Sequence, residues 1–139
     1  MRQLRDDRGS VSTFVIVAFV ALLALAGLVF DGGALLSARR EAVNVAHGAA
    51  RVGTQEIDEV ASRQAGHPVM NRVAAVREAE AFLARKGWDG NAVAYRDRVE
   101  VTVTRTEPMT ILGAIGVGPR TVSATSSARP VFGVTAGEN

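Results

Sequence analysis

After nine largely charged residues, MRQLRDDRG, the chain runs from Val11 to Phe30 without a charge, VSTFVIVAFVALLALAGLVF, and only Ser12 and Thr13 are clearly polar there. At about 1.5 Å rise per residue a helix of that length is roughly 30 Å long, the hydrocarbon thickness of a bilayer. The pattern then changes. Beyond Asp31-Gly32-Gly33, apolar or small residues recur at Leu35, Ala38, Ala42, Val45/Ala46, Ala49, Val52/Gly53 and Ile57, while Arg39, Arg40, Asn44, Arg51, Gln55 and Asp58 fall opposite. Spacings of three and four are the helical period. Together the two patterns predict one long helix over about 10–62, apolar in its first half and amphipathic in its second. The glycine pair is a place for a bend.

Gly and Pro punctuate a loop at Gln64–Pro68, and a second helix is predicted from about Val69 to Lys86. Its apolar face is expected to carry Val69, Val73, Val76, Ala79 and Leu83. Asn71 is a candidate N-cap, Gly87 suits a left-handed C′ position, and Trp88 can pack back on Leu83. Asp89-Gly90 reads as a turn. From there the period drops to two: Ala92–Tyr95 and Arg98–Thr106 read as strands joined at Arg96-Asp97. Val99, Val101 and Val103 alternate with Glu100, Thr102 and Thr104, the signature of a strand with one buried face. Pro108 ends it. Met109–Ile115 reads as a short apolar turn or helix, Gly116–Pro119 as a loop, and Arg120–Arg129 as a third strand. The predicted fold is α+β: a long N-terminal transmembrane and amphipathic helix, a second helix, and a small three-stranded antiparallel sheet. The segments are a tail or leader (1–9), a transmembrane helix (10–30), an extracytoplasmic α+β domain (31–130) and a flexible tail (131–139).

Charge refines this picture only modestly. The net charge is +2, and from Asp31 onward 13 bases face 12 acids, so the part after the span is nearly neutral. The sequence pI of about 9.9 reflects arginine chemistry rather than a large basic excess. No stripe of positive charge is present to release counterions from a nucleic acid, so nucleic acid is not an expected partner. Arg2, Arg5 and Arg8 precede the span and favour a cytoplasmic N-terminus, with the C-terminal domain extracytoplasmic; Arg39 and Arg40 beyond it weaken the bias. Ala24-Leu25-Ala26 resembles a signal-peptidase site, yet the apolar run continues through Leu28, Val29 and Phe30 into the next helical pattern, which favours an uncleaved anchor.

Cysteine is absent, which removes disulfides, thiolate metal sites and thiol nucleophiles. His47 and His67 have no second ligand at a metal-binding spacing. Glu56, Asp58 and Glu59, and likewise Glu78 and Glu80, read as solvated helix faces rather than as an acid–base pair. Gly113, Gly116 and Gly118 lack the Lys-Ser/Thr of a phosphate loop, and Ser10, Ser12 and Ser37 lack a nucleophile-elbow context. No catalytic residue, metal or cofactor is expected. The residues that stand out instead are Ala46, Ala49, Ala50 and Gly53, a seam of small side chains that lets another backbone approach closely. That backbone is either the domain's own sheet or a neighbouring subunit.

One extended pattern carries a resemblance. Arg8-Gly9-Ser10, the apolar span, Leu28-Val29-Phe30-Asp31-Gly32-Gly33, the Arg39-Arg40 pair and Ala46-His47-Gly48-Ala49-Ala50-Arg51 resemble the TadE/TadG-like family, minor pilin-like proteins of the tight-adherence (Flp) pilus, a relative of type IV pili and type II secretion. The order of elements downstream is similar to actinobacterial members, and residues 8 to 53 are the most specific part. The resemblance implies a single-pass protein of the cytoplasmic membrane. Its expected partners are the lipid bilayer and other pilin-like or Tad apparatus membrane proteins, in a homo- or hetero-oligomer. It also implies that Gly9 and Ser10 flank a candidate prepilin-type cleavage point. Phe14 stands where typical pilins carry a glutamate, which points to an uncleaved or accessory member. The reading from a different class is a signal-anchored cell-surface binding module unrelated to pili, for which a concave, polar-lined pocket is the expected mark. A membrane enzyme is a third, and nothing in the residues supports it.

Overall fold

The first helix, α1, runs unbroken from Arg8 to Gly53, 46 residues. The structure is a computed structural model that describes residues 8–130, with side chains from Val11 onward. Arg2, Arg5, Asp6, Asp7 and the tail at 131–139 lie outside the described residues. No proline interrupts α1, and Ala, Val and Leu make up about half of it. The Gly32-Gly33 pair, at about 1 kcal/mol each relative to Ala, does not break it.

The helix ends nine residues earlier than its periodicity predicts. At Thr54 the hydroxyl donates to the Arg51 carbonyl at 2.8 Å, and Ile57 leaves the helix to form an isolated antiparallel bridge with Met70. Asp58 is extended and starts a separate short helix, α2 (Glu59–Ala65), by accepting the Ala61 N–H at 2.9 Å. The apolar period carries through Ile57, so pattern alone cannot see this stop. Asp58, expected on a solvated face, is a helix cap.

Helix α3 spans Arg72–Lys86, starting three residues later than the expected Val69, with the expected cap residues at both ends. The Asn71 side chain accepts the Ala74 N–H at 3.1 Å. Gly87 adopts φ 68°, and the Trp88 N–H reaches back to the Leu83 carbonyl at 3.1 Å, which satisfies the helix end as a Schellman motif does. Asn71→Ala should lower the melting stability by about 1 kcal/mol, read by the single tryptophan, because it leaves that N–H unpaired. The buried face is Ala75, Ala79 and Leu83, and Val73 is 79% exposed. The face is therefore rotated from the expected valine stripe. Alanine is what the packing requires, since Ala75 and Ala79 lie against Gly53 of α1.

Strands β1 (Asp89–Ala94), β2 (Val99–Glu107) and β3 (Arg120–Ala128) form one sheet in the order β1-β2-β3. The first two are antiparallel with Gly90 opposite Val103 and Ala92 opposite Val101. Their link, residues 95–98, is closed around Arg96-Asp97 by the Tyr95 N–H on the Arg98 carbonyl at 2.8 Å. Gly90 therefore belongs to a strand, not to the turn its Asp-Gly sequence suggests. The pairs Thr102–Thr125 (2.9 Å) and Thr106–Thr121 (3.4 Å) set β3 antiparallel to β2. A short 3-10 turn, Leu112–Ile115, lies in the β2–β3 connection.

The described chain forms two compact units. One comprises residues 8–36 with 107–120. The other comprises 37–106 with 121–130. The second unit holds the core: Ala42, Ala46, Ala49 and Ala50 of α1, Ala79 and Leu83 of α3, and Val99, Val101 and Val103 of β2 are all buried. Arg105 stacks on the Trp88 ring at 4.3 Å and reaches Glu41 of α1 at 3.5 Å. The arginine thus links the sheet to α1 in this unit.

Candidate functional site

Through its apolar run α1 presents large side chains to solvent all round: Phe14 is 72% exposed and Val29 77%. It is the one helix among the described residues long and apolar enough to cross a membrane. Apolar surface exposed on every side of a helix is what lipid or a bundle of like helices would cover. Gly9 and Ser10 fall in its first turn, and the Ser10 side chain lies outside the described set.

Asp31, the first residue beyond the apolar run, is 1% exposed. Its Oδ1 accepts the N–H groups of Thr110 (3.0 Å) and Ile111 (3.3 Å), and its Oδ2 those of Ile111 (3.1 Å) and Leu112 (2.7 Å). These are the donors left open at the start of the 3-10 turn, which a carboxylate suits. The Leu112 N–H, with the Thr110 and Ile111 N–H groups, holds the Asp31 carboxyl below its ordinary range against the opposing effect of burial. One helical turn earlier, Gly27 makes room for the same segment. A Cβ there would stand 2.9 Å from both Ile111 Cγ2 and Leu112 Cδ2. Asp31 does not stand out in the sequence as a capping residue because its partners lie some eighty residues away. The available signal was a lone acid bordering a twenty-residue apolar run.

In the second unit the small-residue seam is buried within the chain. Ala46, Ala49 and Ala50 have no exposure, and a Cβ on Gly53 would stand 2.8 Å from the Ala75 carbonyl oxygen and 3.2 Å from Val99 Cγ1. The polar candidates are dispersed. His47 Nδ1 lies 3.3 Å from Ser126 Oγ, Glu59 pairs with Arg63 at 3.2 Å, and Glu78 with Arg77 at 3.3 Å. Glu80 accepts the Ala92 N–H at 3.4 Å, and the Glu56 backbone carbonyl receives the Asn71 N–H. His67 borders a shallow cleft of about 390 Å³ with Arg72, Arg96 and Asp97. Among the described residues no group of three or more His, Asp or Glu is placed to hold a metal ion.

The class defined so far is an α+β protein whose first helix is apolar all round before it enters the core. Residues 9–63 of the chain match a family model described as "Putative Flp pilus-assembly TadE/G-like". The matched segment covers α1 from its second residue and most of α2; α3 and the sheet lie beyond it. No curated protein and no solved structure matches the chain.

Proposed function

We propose that this chain is a membrane-anchored, pilin-like structural component of a Flp (tight-adherence) pilus or related secretion apparatus. The match of residues 9–63 to the TadE/G-like family model carries this reading. The helix that the match covers is also the one with exposed apolar surface on all sides. In this reading residues 11–30 anchor the chain in the cytoplasmic membrane, with the N-terminus cytoplasmic and residues 31–130 extracytoplasmic. Its contacts are with lipid and with other pilin-like or apparatus membrane proteins.

Photo-crosslinking residues placed at Phe14, Leu22 and Val29 in native membranes should give adducts with single-span pilin-like proteins of the apparatus or a second copy. Deletion of the chain should abolish Flp pili. Normal piliation together with lipid-only adducts would overturn the proposal. The intact mass then assigns the subtype: a start at Ser10 means prepilin-type processing after Gly9, and an intact Met1 a permanently anchored accessory subunit. A start at Gly27 would mean a released domain and end the membrane reading. The cleft around His67, Arg72 and Arg96 is the feature that a surface binding module would use. Charge-neutral variants there should leave piliation unchanged.

A further inference from the structure

We propose that the β2–β3 connection is a second membrane contact: a re-entrant apolar loop seated in the headgroup–acyl boundary beside the C-terminal end of the span. The inference rests on reading Val11–Phe30 as a bilayer anchor, and everything it uses lies within one compact unit, residues 8–36 with 107–120.

Three observations carry it. The first is composition: between Glu107 and Arg120 the chain has no charge, PMTILGAIGVGP, and charged residues bracket it at the two points where it would leave lipid. The second is depth. Ile111 and Leu112 pack onto the bare Cα of Gly27, which lies inside the apolar run, about 5 Å along the axis from Phe30 at helical rise. A loop docked at that level is beside lipid whenever the helix spans. Ile115, at the end of the 3-10 turn, is 64% exposed, a large aliphatic side chain mostly uncovered in a segment already at that level.

The third is the backbone. At the headgroup–acyl boundary an irregular segment is costly unless its polar groups are satisfied internally. Here Thr110, Ile111 and Leu112 donate to the Asp31 carboxylate. The Ala114, Gly116 and Val117 N–H groups donate to the carbonyls of Ile111, Gly113 and Leu112 at 3.0–3.1 Å. Asp31 thereby neutralises the donors that would otherwise keep the loop in water, and Gly27 gives the loop its seat. The occupant of the exposed side is lipid, because the surface continues the surface of the span.

The natural absence of cysteine permits a direct test. Single-cysteine variants Leu25→Cys, Ile115→Cys and Gln64→Cys of the full chain are labelled with an environment-sensitive fluorophore and reconstituted in phosphatidylethanolamine/phosphatidylglycerol vesicles. Quenching by spin-labelled lipid is compared with quenching by aqueous iodide. The label at 115 should behave like that at 25, blue-shifted, quenched by lipid and shielded several-fold from iodide relative to 64. Iodide access at 115 equal to that at 64 would overturn the loop insertion while leaving the span intact. Shielding from both quenchers would mean a protein cover and overturn it equally. Failure of lipid to quench at 25 would remove the anchor and the loop proposal with it. Adding Gly27→Leu, which fills the space of Ile111 and Leu112, should return the label at 115 to iodide and leave the one at 25 in lipid. An unchanged depth at 115 would refute the seat.

Discussion

Gly90→Val is expected to destabilise strongly the unit formed by residues 37–106 and 121–130. Gly90 sits in β1 directly opposite Val103. A Cβ there would collide with the Thr102 carbonyl oxygen of β2, and would stand 2.8 Å from Leu83 Cδ1 and 3.1 Å from the Val103 Cα. Two of these three obstacles are backbone atoms of the neighbouring strand, so no rotamer change relieves them; β1 must separate from β2. The third, Leu83, is 2% exposed, and its carbonyl holds the Trp88 N–H that closes α3. Strand pairing, helix cap and core are thus loaded on one missing side chain. Overpacking of this kind costs about 3 kcal/mol. For a unit of this size that lowers the melting temperature by about 15 °C, followed by Trp88 fluorescence in detergent. Asn91→Val puts the same side chain one position along, on an exposed residue that already carries a Cβ, and should change the midpoint little. Equal midpoints for the two variants would refute the close approach at Gly90.

Gly90 also marks the boundary of what the residue pattern can reveal. Elements governed by local rules were legible. Val99, Val101 and Val103 alternate and are all buried, and Asn71, Gly87 and Trp88 bracket α3 as their chemistry dictates. The apolar run and its family resemblance were legible for the same reason, since each is a contiguous stretch. The misreadings share a different cause. Asp-Gly at 89–90 is a turn by dipeptide preference, and only the Thr102 carbonyl across the sheet makes Gly90 a strand residue that must lack a Cβ. Val73 continues a period of apolar residues, yet the face chosen is the one whose alanines fit against Gly53. Asp58 sits in an acidic run that reads as a solvated face, and Asp31 beside a glycine pair that reads as a bend. One caps a helix three residues away, and the other caps a turn eighty residues away. Pattern reports which face can be buried, whereas the partner that selects among such faces is set by tertiary contact.

The largest effect expected in the other unit comes from Asp31→Asn. The substitution preserves shape but leaves one acceptor oxygen and turns an amide N–H₂ toward backbone donors that now lack a partner. A buried donor left unpaired carries its full desolvation penalty with nothing to offset it. The Thr110, Ile111 and Leu112 amides should then exchange with solvent at least about tenfold faster, while the Trp88 melting transition, which reports the other unit, stays in place. Protonation should mimic the variant. The folded carboxyl titrates below the ordinary value of 3.8, so the stabilisation is complete above that pH and disappears as pH falls through the lower folded value. In the wild type, protection of the three amides should therefore hold from neutrality down to about pH 4 and fail only in stronger acid. In the Asn variant it should be low throughout. Loss of wild-type protection between pH 7 and pH 5 would show that another group holds the segment. Because the same carboxylate satisfies the donors that would keep the loop in water, Asp31→Asn should also raise iodide access at a label on residue 115. The exchange rate of three amides and the depth of one side chain then become two readings of a single contact.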